Sequence, residues 1–178
     1  MTTHLLNSAD IAPLVRRKVV LALCLLLPCT LWLSFSAAAQ EVTYITFDPP
    51  GSTFTRPYSI NREGAITGYY DDAHNKPHGF LRARDGTITT FDPPRSIDTI
   101  PQSINRAGVI AGYYADAQYV NHGFLRAPDG TFITFDPPGS VLTKPASINS
   151  AGAITGWYQD ANFIEHGFLR IPGHHEEG

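Results

Sequence analysis

The sequence predicts an all-β protein built from three repeated units, each with four short antiparallel strands like a propeller blade. A segment of 44 residues occurs three times without insertion or deletion, so Phe47, Phe91 and Phe135 are equivalent. Within each copy, runs rich in β-branched and aromatic residues alternate with Gly, Pro and Asn turns. No window after residue 40 has helical periodicity. Four-stranded blades of about 40 to 45 residues are typical of propellers.

Residues 1–39 are predicted to be a secretory signal peptide. Basic residues at 16–18 precede an apolar run at 19–35, and Ala37–Ala39 supplies small residues before a cleavage site near Ala39. A retained anchor is the alternative, but an apolar run of this length containing Pro28 is short for a membrane span. We therefore expect a secreted or bacterial periplasmic protein that has no membrane segment after cleavage.

Composition narrows the remaining functions. Cys24 and Cys29 both lie in the predicted signal, so the exported chain has neither a disulfide nor thiol chemistry. The chain has 13 Lys and Arg against 16 Asp and Glu and no basic stripe, which argues against a nucleic acid partner. Residues 40–172 are enough for one three-repeat domain with a single core, and 173–178 are predicted to be a disordered tail.

Each repeat predicts its strands from local chemistry. An outer Thr-rich strand, 43–47 in the first copy, ends at a Pro pair that cannot continue a hydrogen-bond ladder. A loop closed by Pro57 leads to a very short inner strand around 59–61. A tight hairpin turn at Asn61–Gly64 follows, in which Asn suits the first position and Gly supplies a positive φ.

The third strand of the repeat, 65–70, contains Gly68, which predicts a bulge or a close approach by another backbone. A loop of about seven residues then leads to the fourth strand, His78–Arg82. The turn between that strand and the next outer strand reads Ala-Pro-Asp-Gly at Ala127–Gly130, with Pro and Gly at positions that suit a β-turn.

The order of the strands raises the question of closure. The chain begins with an outer strand and ends with a His-Gly-Phe strand, so strand 43–47 is predicted to complete the last unit. Three blades would each have to turn by about 120°, whereas propellers usually have about four to eight blades. A homodimer could close a six-bladed ring by exchanging first strands, or one chain could close as a β-trefoil. The hairpin series with Pro-ended outer strands favours propeller-like blades.

The repeat resembles the HAF family of bacterial extracellular repeats. The resemblance is carried by Ser59–Gly64, Ile66–Tyr70 and His78–Leu81 with their two further copies, and covers nearly all of the chain after the signal. The family's His-Ala-Phe reads His-Gly-Phe here. The resemblance implies secretion and a propeller-type all-β repeat, without an implied activity.

The candidate binding residues come from comparing the copies. The loop between the third and fourth strands and the loop after the outer strand vary most, and alternating strand directions place both at one end of the sheets. Loops on a rigid scaffold commonly carry binding residues, although such variation is also typical of unconstrained surface. The ligand-binding candidates are His74, Lys76, Tyr119, Asn121, Phe163 and Glu165.

The triplicated histidines and aspartates are interpreted as structural. Three imidazoles could bind zinc only if they met on an axis, and equivalent outer positions of a ring of blades lie far apart. No Asp-x-Asp-x-Asp-Gly spacing indicates calcium. We expect a hydrogen bond from each histidine to an aspartate of the preceding loop, and no metal or other cofactor. These residues are His78, His122 and His166 with Asp72, Asp116 and Asp160.

The function expected from the sequence is non-enzymatic binding of a polysaccharide or cell-surface protein through the variable loops. Nearly every polar residue of note is triplicated and no catalytic motif follows the signal, which argues against an enzyme. A lectin-like carbohydrate-binding trefoil is the first alternative. A glycoside hydrolase that uses Asp72, Asp116 or Asp160 is the second.

Overall fold

The all-β prediction is confirmed by the computed structural model, which describes residues 41–173. All eleven strands lie in the compact unit that starts at Ile45. The predicted signal and the last five residues of the predicted tail lie outside the described residues. Across residues 41–173 there is no helix long and apolar enough to cross a membrane.

The strands form three separate antiparallel sheets, one for each repeat. Sheet 1 contains β1 (Phe54–Ile60), β2 (Ile66–Asp71), β3 (Pro77–Arg82) and β4 (Ile88–Phe91). Sheet 2 contains β5 (Asp98–Ile104), β6 (Ile110–Ala115), β7 (Asn121–Arg126) and β8 (Phe132–Phe135). Sheet 3 contains β9 (Ser140–Ile148), β10 (Ile154–Asp160) and β11 (Glu165–Arg170), and neighbours along the chain are neighbours in each sheet.

Local sequence explains the hairpins. In the first repeat the N–H of Gly64 donates to the carbonyl of Asn61 at 3.1 Å, and Gly64 has a φ of 84°, as expected for this turn. The Asn61 side-chain oxygen also accepts from the N–H of Ala65 at 2.9 Å. The turn is therefore closed by both the backbone and the Asn side chain.

The innermost strand is longer than predicted. β1 runs through Pro57, which is paired with Gly68 next to a register shift, so Pro57 does not close a loop. Proline is tolerated there because β1 is an edge strand with a bulge. A Cβ at Gly68 would overlap the Arg56 carbonyl, which confirms the close backbone approach expected at this glycine.

Each sheet packs on the next through apolar side chains. Leu81 and Phe91 of sheet 1 meet Ile104, Ile110 and Phe124 of sheet 2. The same positions recur one repeat later. There, Ala111, Leu125 and Phe135 of sheet 2 meet Ile148, Ile154 and Phe168 of sheet 3. The core therefore consists of two equivalent layers between three stacked sheets.

Two predictions about closure are wrong for a single chain. Residues 43–47 form no strand, and sheet 3 has three strands rather than four. The Phe47 ring instead packs edge-on against Phe80 of sheet 1, with ring centroids 6.0 Å apart. The edge that this strand would complete is β11 of sheet 3. The β-trefoil alternative is also wrong, because strands pair only within their own sheet and close no common barrel.

Candidate functional site

The variable loops lie at one end of the sheets, as their positions between antiparallel strands require. The loop between β2 and β3 spans five residues, 72–76, shorter than the predicted seven. Its backbone closes through the N–H of Asn75 to the carbonyl of Asp72, at 3.0 Å. The loop is a tight, hydrogen-bonded turn, and its tip is held in place.

Two aromatic side chains project from these tips. Tyr119 and Phe163 are each 77% exposed and have φ of 62° and 63°, the left-handed region. Asn75 stands at the equivalent position in the first repeat with φ of 59°. Asn adopts this conformation readily, whereas a bulky aromatic residue does so rarely. The scaffold therefore holds two exposed aromatic rings in a conformation that they do not favour intrinsically.

The remaining candidate binding residues flank the tips. His74 is exposed and Lys76 is half-buried, and both N–H groups donate to the Asp72 carboxylate. Asn121 begins β7 and Glu165 begins β11. The structure thus places the six candidates on or directly beside the tips of three equivalent loops.

The loop aspartates accept hydrogen bonds from backbone N–H groups of their own loops. The N–H groups of Lys76 and His74 donate to Asp72 at 3.0 and 2.8 Å, and together they lower the pKa of this carboxyl. Backbone donors in the same register lower the pKa of Asp116 and Asp160. A carboxyl held ionised in this way is poorly suited to act as a general acid.

Each histidine bridges two carboxylates where the fourth strand is present. His122 Nε2 lies 3.4 Å from Asp116, the expected partner, but its Nδ1 lies only 2.7 Å from Asp136. His78 repeats this geometry with Asp72 and Asp92 at 3.4 and 2.6 Å. Burial opposes protonation of His122, but the two carboxylates outweigh it and raise its pKa.

A second candidate surface lies at the same end of the sheets, on the first two strands of each sheet. We call Tyr69, Tyr113 and Trp157 the aromatic row, because they occupy the same position in β2, β6 and β10. The Lys144 amine lies 5.0 Å from the centre of the Tyr113 ring and 5.3 Å from that of Trp157. One cation therefore bridges two rings of successive sheets.

The first ring of the row is embedded in further aromatic contacts. Tyr69 lies 5.8 Å from both Phe54 and Tyr58, centroid to centroid. The Arg56 guanidinium lies 4.9 Å above the Phe54 ring. Burial raises the pKa of Tyr69 and Tyr113, so both hydroxyls stay protonated at neutral pH. The row thus presents neutral, amphipathic rings flanked by two cations.

The sequence interpretation missed this row. Trp157 is partly exposed and belongs to neither buried core cluster. A usable signal was present, because the residue before each Pro of the inner strands varies as Arg56, Ile100 and Lys144 while the structural positions stay constant. Variation opposite an aromatic position on the same face indicates a surface and not a core.

Within residues 41–173, no group of three or more His, Cys, Asp or Glu side chains is arranged to hold a metal ion. No protein-family model matches the sequence. A comparison with curated proteins found no significant match.

Proposed function

We propose that the chain is a secreted, non-enzymatic β-repeat module that binds a polysaccharide at the loop end of its sheets. The observation that carries this proposal is the aromatic row, with Lys144 between Tyr113 and Trp157 and Arg56 beside Tyr69. Rigid rings with a polar edge supply contact area to a ligand that is apolar on one face and hydroxylated on its rim. The spacing of the row by successive sheets suits a repeating linear polymer.

The two cations favour a polysaccharide that carries carboxylate or sulfate groups. Arg56 is exposed and Lys144 is half-buried over the rings, so both can face an anionic substituent of a stacked sugar. The exposed rings of Tyr119 and Phe163 add further aromatic surface at the same end of the sheets. The resemblance to HAF repeats supports secretion and rests on the repeat motifs alone.

Tryptophan fluorescence offers a direct test. The chain has two tryptophans, and Trp32 lies in the predicted signal, so emission from the exported chain reports on Trp157. We expect a saturable change on titration with an acidic polysaccharide such as alginate or pectate, and a weaker response to neutral dextran. No change with any polysaccharide, together with binding of a cell-surface protein, would replace this proposal with a protein partner.

Affinity electrophoresis through a polysaccharide gel tests the row independently of fluorescence. Trp157→Ala should raise the dissociation constant obtained from the retardation by about tenfold or more, because aromatic side chains that become buried on binding dominate such contacts. Ile133→Ala, an exposed apolar residue of the outer strand β8, is the matched control and should leave retardation unchanged. Release of reducing ends that is abolished by Asp116→Asn would overturn the non-enzymatic part of the proposal.

A further inference from the structure

The two ends of the stack of sheets expose surfaces that are buried between the repeats. At the first end, Ile60 is 66% exposed, whereas its equivalents Ile104 and Ile148 are 5% and 6% exposed. At the other end, Leu169 is 66% exposed, whereas Leu81 and Leu125 pack against the next sheet. We call these surfaces the leading face of sheet 1 and the trailing face of sheet 3. They are the two halves of an interface that the chain already makes twice.

The glycine of the His-Gly-Phe strand shows what is missing at the trailing face. Gly79 pairs with Phe91, and a Cβ there would lie 2.6 Å from the Phe91 ring. Gly123 is covered by the Phe135 ring in the same way, at 2.9 Å. A Cβ at Gly167 would meet nothing nearer than 4.0 Å. The glycine position that a phenylalanine ring covers in sheets 1 and 2 is therefore uncovered on β11.

A groove on sheet 3 lies where a second side chain packs in sheet 2. It has a volume of about 280 Å³ and is lined by Phe135, Phe168 and Arg170 among others. On sheet 2 the Phe132 ring packs against the equivalent pair, 6.1 Å from Phe91 and 5.8 Å from Phe124. The segment that would complete sheet 3 has Tyr44 at the position of Phe132, two repeats earlier, and Phe47 at the position of Phe91 and Phe135.

Polar groups show the same complementarity. The N–H of Ile104 donates to the Ser59 hydroxyl at 3.2 Å, and the N–H of Ile148 donates to Ser103 at 3.3 Å. Continuing this series would pair the Ile60 N–H with Ser147 of another molecule. Ser147 is exposed at the trailing end of the described stack.

The asparagines form a parallel series. The Asn61 amide donates to the carbonyl of Asn105 at 3.1 Å, and the Asn105 amide donates to that of Asn149 at 3.3 Å. The next bond in the series would join the Asn149 amide to the carbonyl of Asn61. Both the donor at one end and the acceptor at the other therefore match an interface with a further copy.

The histidine bridges give a chemical marker for the same contact. His78 and His122 each contact the aspartate directly after the following outer strand, Asp92 and Asp136. His166 contacts Asp160 at 3.3 Å, and among the described residues it has no carboxylate on its Nδ1 side. The equivalent of Asp92 and Asp136 one repeat earlier is Asp48, directly after Phe47.

We propose that the trailing face of sheet 3 binds the leading face of sheet 1 of a second copy of this chain, and that two copies close on each other. Residues Ile45–Phe47 of one copy become the fourth strand of sheet 3 in its partner. Phe47 covers Gly167 and Asp48 bridges to His166. Phe47 already packs on Phe80 as Phe91 packs on Phe124, so it keeps its place on its own sheet 1. This association is independent of the proposed polysaccharide binding.

A cysteine cross-link tests the register of the exchanged strand. Leu81 pairs with Thr89 in sheet 1, so Ile45 is expected opposite Leu169 of the partner. One chain carries Ile45→Cys and the other Leu169→Cys, both with Cys24→Ser and Cys29→Ser so that each has one thiol. Mild oxidation of the mixture should give a disulfide-linked heterodimer, whereas each chain alone should stay uncross-linked. Leu81→Cys with Thr89→Cys in one chain is the control for the geometry and should close within the chain.

A variant of Gly167 tests whether Phe47 of a partner covers this glycine, without disturbing the single chain. Gly167→Val adds atoms into open space in one copy but blocks the incoming ring, so the dissociation constant should rise about tenfold or more while circular dichroism stays unchanged. Gly173→Val, also in open space, should leave association intact.

Light scattering should give twice the mass of one chain for the natural sequence. A monomer at high concentration, or no heterodimer on oxidation, would overturn the proposal. A mass above two copies would overturn closure at two.

Discussion

Sheets 2 and 3 are built from nearly the same sequence, yet only sheet 2 is covered on both sides. Thr67 of sheet 1 and Ala111 of sheet 2 are fully buried beneath the following repeat, while their equivalent Thr155 is exposed. Strand bounds, turns and pairing registers nevertheless repeat almost without change. The repeat sequence therefore specifies each hairpin locally, whereas burial of its apolar residues depends on the neighbouring repeat.

Substituting one isoleucine position in two repeats should give the largest difference. Ile104→Ala removes a side chain buried between sheets 1 and 2, and it should lower the free energy of unfolding by about 2 to 5 kcal/mol. Ile60→Ala changes an exposed side chain and should cost less than about 0.5 kcal/mol at concentrations where the chain is monomeric. Urea denaturation followed by circular dichroism measures both. Equal losses in dilute solution would mean that the two faces do not differ in burial.

The hairpins could be predicted from the sequence because their determinants are local. The turn at Asn61–Gly64 requires a side-chain acceptor and a positive φ, and both are readable from two residues. Residues 43–47 are equally suitable for a strand, but within the single chain they pair with no sheet edge. Strand formation depends on pairing, which local propensity does not report.

The candidate site could be predicted only in part, for a related reason. The variable loops were identifiable from differences between copies. The short contact between His122 and Asp136 joins residues 14 positions apart, one on β7 and the other directly after β8. It depends on the direction in which the two side chains point. The aromatic row depends on the stacking of three sheets, so its bridging Lys144 contact is a property of the tertiary structure.

The asparagine series provides a smaller contrast between covered and uncovered repeats. Asn105 and Asn149 both accept a hydrogen bond in their own turns, but Asn105 is buried and also donates to the next repeat. Asn105→Ala should therefore destabilise the chain by about 1 to 3 kcal/mol, and Asn149→Ala by about 1 kcal/mol less. Thermal unfolding of the two variants measures the difference. Identical melting temperatures would show that the bond between repeats contributes nothing to stability.

The smallest effect should come from the histidine bridges and should depend on pH. The pKa of His122 is raised in the folded chain above its ordinary value of 6.5, with the Tyr114 ring tilted against the imidazole and Asp116 and Asp136 as the facing charges. Its contribution to stability is fully present below about pH 6.5 and is lost as pH rises through the folded pKa. Unfolding free energy should thus fall by less than about 1 kcal/mol from pH 6 to 8.

A variant of His122 tests whether its bridge causes that pH dependence. His122→Gln removes the ring that contacts both Asp116 and Asp136, so it should flatten the decrease between pH 6 and 8. A decrease that persists unchanged in His122→Gln would mean that the bridge from His122 to these two carboxylates does not cause the pH dependence.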